Sequence, residues 1–258
     1  MKTRLLTLLV LIAATTGVFA KEYYGIIFGM NEEVNSENAA DIFGDGKASY
    51  VYSTNTLILE QGFSYSLSKG FVSFQTEREF HILLRGDAEI KASIHSYDDI
   101  KIEAAVPSTL TITANISGSG IECPNLTVTQ DAELYVLSRN SAQDMYAIQC
   151  ENTLTVISTR LEAKMVNSSM AIALKKLDLK GVTITTPAGG VVNNTKGGIC
   201  YADGTSARWV IIDPSEYTAV DDLSATPIHG PRKILSDGQV LILMPDGRTL
   251  NLLGAELN

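Results

Sequence analysis

Six times between residues 57 and 179 the chain repeats one short pattern, an apolar residue, any residue, then another apolar residue. The copies are Leu57-Ile58-Leu59, Phe80-His81-Ile82, Leu110-Thr111-Ile112, Leu126-Thr127-Val128, Leu154-Thr155-Val156 and Leu177-Asp178-Leu179. Their first members are unevenly spaced, widest from Phe80 to Leu110 and closest from Leu110 to Leu126, around a period in the low-to-mid twenties. Alternation of this kind marks strands with one buried face. A sandwich of antiparallel strands would show hairpin turns at spacings of about 8–12 residues. Recurrence at the length of a whole coil instead predicts an all-β chain folded as a right-handed parallel β-helix. In such a solenoid each repeat buries its Leu, Ile and Val against the coils above and below, because no single repeat can form a core.

Three segments align best, Ile121 to Val136, Ile148 to Ala163 and Ile172 to Ile184. Each opens with Ile, reaches a Leu five or six residues later, and supplies a second apolar pair: Leu134 with Val136, Leu161 with Ala163, Val182 with Ile184. Long amphipathic helices are nearly absent, with at most a helical turn over Ser169 to Leu177. The coils are expected over 57–213. Residues 21–56, with the strand-like Tyr23-Tyr24-Gly25-Ile26-Ile27-Phe28 and a turn-rich stretch, form an N-terminal β cap over the open end. Residues 214–232 hold three of the seven prolines (Pro214, Pro227, Pro231) and read as a linker. In 233–258, Asp237-Gly238 and Asp246-Gly247 fall between apolar runs, which is the strongest short-range hairpin signal. That tail is expected to be a small antiparallel meander.

Residues 1–20 place Lys2 and Arg4 before an apolar run from Leu5 to Ala14 and end in Val18-Phe19-Ala20, the pattern of a signal peptide cleaved after Ala20. The run is about half of the roughly 20 residues a membrane span needs, so no span is expected after removal. The whole chain carries 20 Lys and Arg against 29 Asp and Glu, a net charge of −9. Losing Lys2 and Arg4 leaves 18 against 29, or −11. This acidity argues against nucleic acid, whose phosphates draw on clustered Lys and Arg, and against a polybasic membrane anchor. Cys123, Cys150 and Cys200 are odd in number and lack zinc spacing. Cys123 and Cys150 each follow an Ile by two positions and read as small buried hydrophobes stacked in neighbouring coils.

Chemistry is sparse. A β-helix polysaccharide lyase or hydrolase would stack acids on its outer face. The outward positions of the triplets are Ile58, His81, Thr111, Thr127, Thr155 and Asp178, and those of the second strands are Glu89, Tyr135, Glu162 and Thr183. The acids are isolated, and Thr111, Thr127 and Thr155 form the expected ladder. His81, His95 and His229 are far apart and read as surface or packing residues. Asp41, Asp45 and Gly46 give a turn, since a calcium loop would need further acids and a bidentate Glu. No Walker or GxSxG motif occurs. No catalytic residue, metal or cofactor is therefore assigned. Flat rings can stack on sugar faces, and Tyr135 facing outward, Tyr146 at a turn next to it and the sole Trp, Trp209, are the candidate glycan-stacking residues.

The stretch NSENAADIFGDGKASYVYSTNTLIL, the repeated LTI and LTV strands and GVTITTPAGG resemble secreted right-handed β-helix proteins of Bacteroidetes-type bacteria, described as pectin-lyase-like or carbohydrate-binding. The resemblance covers roughly 23–212. The tail is similar to short C-terminal modules that serve secretion or surface sorting. The resemblance implies a secreted or cell-surface, non-catalytic protein for adhesion or glycan contact, with polysaccharide or a host or cell-surface glycan as partner. The alternatives are a β-helix polysaccharide lyase or glycoside hydrolase and a purely structural surface component.

Overall fold

A computed structural model of the chain describes residues 21–30, 32–115, 118–129, 131–140, 145–167 and 170–215, with the backbone of four short strands between 232 and 257. The expected signal segment 1–20, most of the expected linker and His229 lie outside the described residues. The chain divides into two compact units, Met1–Ser215 and Glu216–Asn258.

In the first unit β1 (Tyr23–Phe28), β2 (Glu32–Asn35) and β3 (Ala48–Val51) precede the coils. The coils are built by β4 (Thr56–Glu60) and β5 (Phe63–Phe74), β6 (Phe80–Arg85) and β7 (Ala88–Ser96), then β8 (Ile100–Ala104) and β9 (Ser108–Ala114). They continue with β10 (Ile121–Val128) and β11 (Ala132–Ser138), β12 (Ile148–Ile157) and β13 (Leu161–Met165), and β14 (Ile172–Ala173), β15 (Lys176–Lys180) and β16 (Val182–Thr186). They are followed by β17 (Val191–Asn193), β18 (Gly198–Cys200) and β19 (Trp209–Pro214). The coiled strands pair in parallel and make a β-solenoid of about five turns.

Register explains the irregular spacing. In the first parallel sheet, Leu57, Ile82, Ile102, Val128, Val156 and Leu179 form one inward column, one residue from each successive coil. The column runs through Ile100-Lys101-Ile102, a strand the triplet reading missed. Leu110, which that reading placed in the same series, belongs to a second sheet and stacks as Ala88, Leu110, Leu134 and Leu161. Counting Leu110 and omitting Ile100 turned two ordinary coil lengths into an apparent long step followed by a short one. A third sheet carries Val72, Ile94, Ile121, Ile148 and Ile172 inward. The side chains of these three columns are buried except Leu179 in the last coil. Each such apolar side chain removed from water is worth about 1.5–3 kcal/mol, and it is obtained only by stacking.

The threonine ladder is shorter than expected. Thr127 and Thr155 are neighbours, flanked by Lys101 and Asp178. Thr111 lies in the second sheet between Glu89 and Tyr135. The aligned segments pair as expected at Leu134 with Leu161 and Val136 with Ala163. Val182 does not continue that stack, because β19 runs antiparallel between β13 and β16 and pairs Val182 with Pro214. Ile172 to Leu177, read as part of a helical turn, instead supplies β14 and the start of β15.

Antiparallel strands meet both ends of the coils. β3 pairs with β4, and β1 pairs with both β5 and β2. Between them, Asp41 accepts the backbone N–H of Asp45 at 3.1 Å and of Gly46 at 3.0 Å, with Gly44 and Gly46 at positive φ. The DIFGDG segment is thus an aspartate-closed turn. All three cysteines are free and buried, with Cys123 and Cys150 in register inside the solenoid.

In the second unit β20 (Arg232–Ser236), β21 (Gln239–Leu243), β22 (Thr249–Leu250) and β23 (Glu256–Leu257) form a four-stranded antiparallel meander. Ser236 pairs with Gln239 across the first two strands, and the expected Asp237-Gly238 turn lies outside the described residues.

Candidate functional site

The outward row of the third sheet reads Ser73, His95, Glu122, Gln149. Period-two alternation puts these residues outside because Val72, Ile94, Ile121 and Ile148, one position earlier, are inside. Phe71 and Tyr97 share the outward parity of Ser73 and His95. Phe71 is 48% and Tyr97 63% exposed. The His95 imidazole stands edge-on to both, with centroids 6.1 Å from Phe71 and 4.8 Å from Tyr97, at 67° and 87°. Its Nδ1 lies 3.5 Å from Oε2 of Glu122.

These groups open onto a cleft of about 330 Å³, floored by Ile94, Ser93 and Ser119. Ser119 donates to Oε1 of Gln149 at 2.9 Å and accepts the backbone N–H of Tyr146 at 3.3 Å. Its position depends on Gly120, where a Cβ would fall 2.5 Å from both the Ala147 carbonyl oxygen and Cγ1 of Val136. Only glycine lets the chain pass so close. The cleft therefore combines two open rings, an imidazole and a carboxylate over the buried Ser93 and Ser119, and among the described residues no lysine or arginine lines it.

The three stacking candidates from the sequence are not brought together. Tyr135 sits half-buried in the second sheet, between Thr111 and Glu162. Trp209 opens β19, two strands away from Tyr135, and is 41% exposed. Its indole N–H donates to Oε1 of Glu162 at 2.9 Å, and Nζ of Lys164 lies 5.0 Å from a ring centroid. Tyr146 is not beside Tyr135 as expected. Its backbone bonds to Ser119, which lines the third-sheet cleft, and to Gly120. Phe71, His95, Tyr97 and Glu122 had not been singled out as a site. The legible signal was His95-x-Tyr97, two outward aromatic positions at and just beyond the end of β7.

Two other surfaces carry charge. His81 has Nε2 2.9 Å from Glu79 and Nδ1 3.6 Å from Glu103, and Lys101 closes on Glu103 at 2.6 Å. Burial alone would raise the Glu103 carboxyl, but the hydrogen bond and charge of Lys101, with His81, hold it below the usual carboxylate range. Where the first sheet turns into the second, Asp87, Glu89, Asp131 and Glu133 line two shallow, connected hollows. Among the described residues no three His, Cys, Asp or Glu side chains are grouped to hold a metal ion.

Compared with known protein families, with characterised proteins and with solved structures, the chain matches none.

Proposed function

We propose that the protein is an exported, secreted or cell-surface β-solenoid that contacts glycans without catalysis, through the cleft of Phe71, His95 and Tyr97. The observation that carries this reading is the pair of open rings set edge-on about one imidazole, beside the Glu122 carboxylate. Aromatic faces bury the C–H surface of a pyranose, while a few fixed polar groups orient it. Trp209 and Tyr135 lie outside this cleft, where the indole is engaged by Glu162 and Lys164 and the tyrosine is half-buried. Tyr146 adjoins the proposed site through its backbone bond to Ser119.

Export rests on the cationic and apolar pattern of residues 1–20, and a sorting role for the C-terminal meander rests on its resemblance to short exported modules. N-terminal sequencing of protein recovered outside the cell checks export: a chain beginning at Lys21 is expected. Glycan-array binding by the purified protein checks glycan contact. Phe71→Ala and Tyr97→Ala should each lower affinity about five- to tenfold, since an aromatic contact is worth about 1 kcal/mol beyond its buried area. Tyr135→Ala serves as the unaffected control. No signal above background for the unmodified protein would leave a structural surface role.

A further inference from the structure

The geometry points to a charge-based choice at this cleft: it takes neutral pyranose glycans and turns away uronate and sulfated ones. This selectivity rests on the glycan-contact reading above and adds the class of sugar.

Among the described residues the acidic and basic lining groups are Glu122 and His95, paired at 3.5 Å. An anionic sugar entering the cleft would surrender the hydration of its carboxylate or sulfate. Such groups are recognised where Arg or Lys supplies charge-assisted hydrogen bonds in return, and among the described residues neither lines the site. The anion would also sit beside the Glu122 carboxylate, and desolvating an uncompensated charge is strongly unfavourable. The excess of acids over cations along the chain, −9 in total, adds repulsion at longer range.

A neutral sugar meets the opposite situation. The Glu122 carboxylate is a pure acceptor with lone pairs to spare beyond one contact to His95, which suits the hydroxyls of a sugar. Phe71 and Tyr97, 48% and 63% exposed, offer ring faces that need no charge. A free-amine sugar gains less than the carboxylate suggests, because His95 already stands against Glu122.

The test uses the full-length protein on an array of neutral hexoses and N-acetylhexosamines, uronates, sulfated sugars and free-amine sugars, followed by titration of the best neutral oligosaccharide and of polygalacturonate. Neutral glycans should bind, and polygalacturonate should bind at least tenfold more weakly. Glu122→Lys, folded as judged by circular dichroism, should gain affinity for polygalacturonate by at least fivefold, with the gain lost at high salt. Uronate or sulfated glycans binding as tightly as neutral ones would overturn this inference and leave glycan contact standing. So would a Glu122→Lys protein that binds polygalacturonate no better than before. Binding to no glycan of any class would overturn the glycan reading itself.

Discussion

Asn55 is the polar keystone of the first coil, and its replacement gives a sharp energetic test of the fold. The residue is buried at the end of the 3-10 turn Tyr52–Thr54 and has φ of 52°, a left-handed conformation. Its Oδ1 accepts from the Tyr50 hydroxyl at 2.6 Å. Its Nδ2 donates to Oγ1 of Thr76 and the Glu79 carbonyl, both at 2.8 Å, and to the Arg78 carbonyl at 3.2 Å. One side chain thus ties β3 and the start of β4 to the segment that leads into β6. In Asn55→Ala the buried Tyr50 hydroxyl and the part-buried Glu79 carbonyl lose this partner, at about 1–2 kcal/mol each, the lower part of the range for groups left unsatisfied. The left-handed backbone costs alanine about 1 kcal/mol more. The expected loss is about 3–5 kcal/mol, against a total stability of about 5–15 kcal/mol for a domain. Asn55→Gly should recover about 1 kcal/mol of it, since glycine accepts positive φ without strain. Because a solenoid can open from one end, amide hydrogen exchange is the right assay. Protection in β3, β4 and β6 should fall by two to three orders of magnitude in Asn55→Ala, while β11 and β13 hold. A change below about 1 kcal/mol, or a glycine variant as damaged as the alanine one, would contradict this role for Asn55.

Position along the stack should set the cost of a core deletion. Leu126 lies fully buried between Ile100 and Leu154, so Leu126→Ala should cost about 3–4 kcal/mol in urea unfolding, whereas half-buried Leu177 in the last coil should cost about 1–2 kcal/mol. Cys123 titrates well above an ordinary thiol, through its hydrogen bond with Cys150 and then through burial. A raised pKa means that the folded chain holds this proton more tightly than the unfolded one. That stabilisation is whole below the ordinary thiol value of about 8.5 and is lost as pH rises through the folded value. Thermal melts should decline as pH rises above about 8.5, and Cys123→Ala should flatten the decline. Glu162→Ala frees the indole N–H of Trp209 and one partner of Arg160. It should cost about 1 kcal/mol and shift the emission of the only tryptophan to the red, a change absent in Glu133→Ala.

What the sequence disclosed and what it hid follow from one geometric fact, that a coil has corners. Inward columns are visible because period-two alternation survives wherever a strand runs straight, as at Leu126-Thr127-Val128 and Leu154-Thr155-Val156. The same pattern cannot say which of three sheets a triplet belongs to, since Leu110-Thr111-Ile112 has the same apolar grammar as its neighbours. That ambiguity placed Thr111 in the wrong ladder and passed over Ile100-Lys101-Ile102. The cleft is hidden for a related reason. β5 and β7 each turn a corner within a single strand, shifting the pairing between Ser66 and Phe71. Phe71 and His95 become neighbours only because of that shift, and Glu122 joins them from the next coil through the register of β10 on β7. The sequence gaps from Phe71 to His95 and from His95 to Glu122 differ from each other and look like noise, because coil length varies along the stack. Stacking converts them into contact. A binding surface on a solenoid is therefore written across coils, one or two residues in each, and it is recovered by fixing the register first and reading outward afterwards.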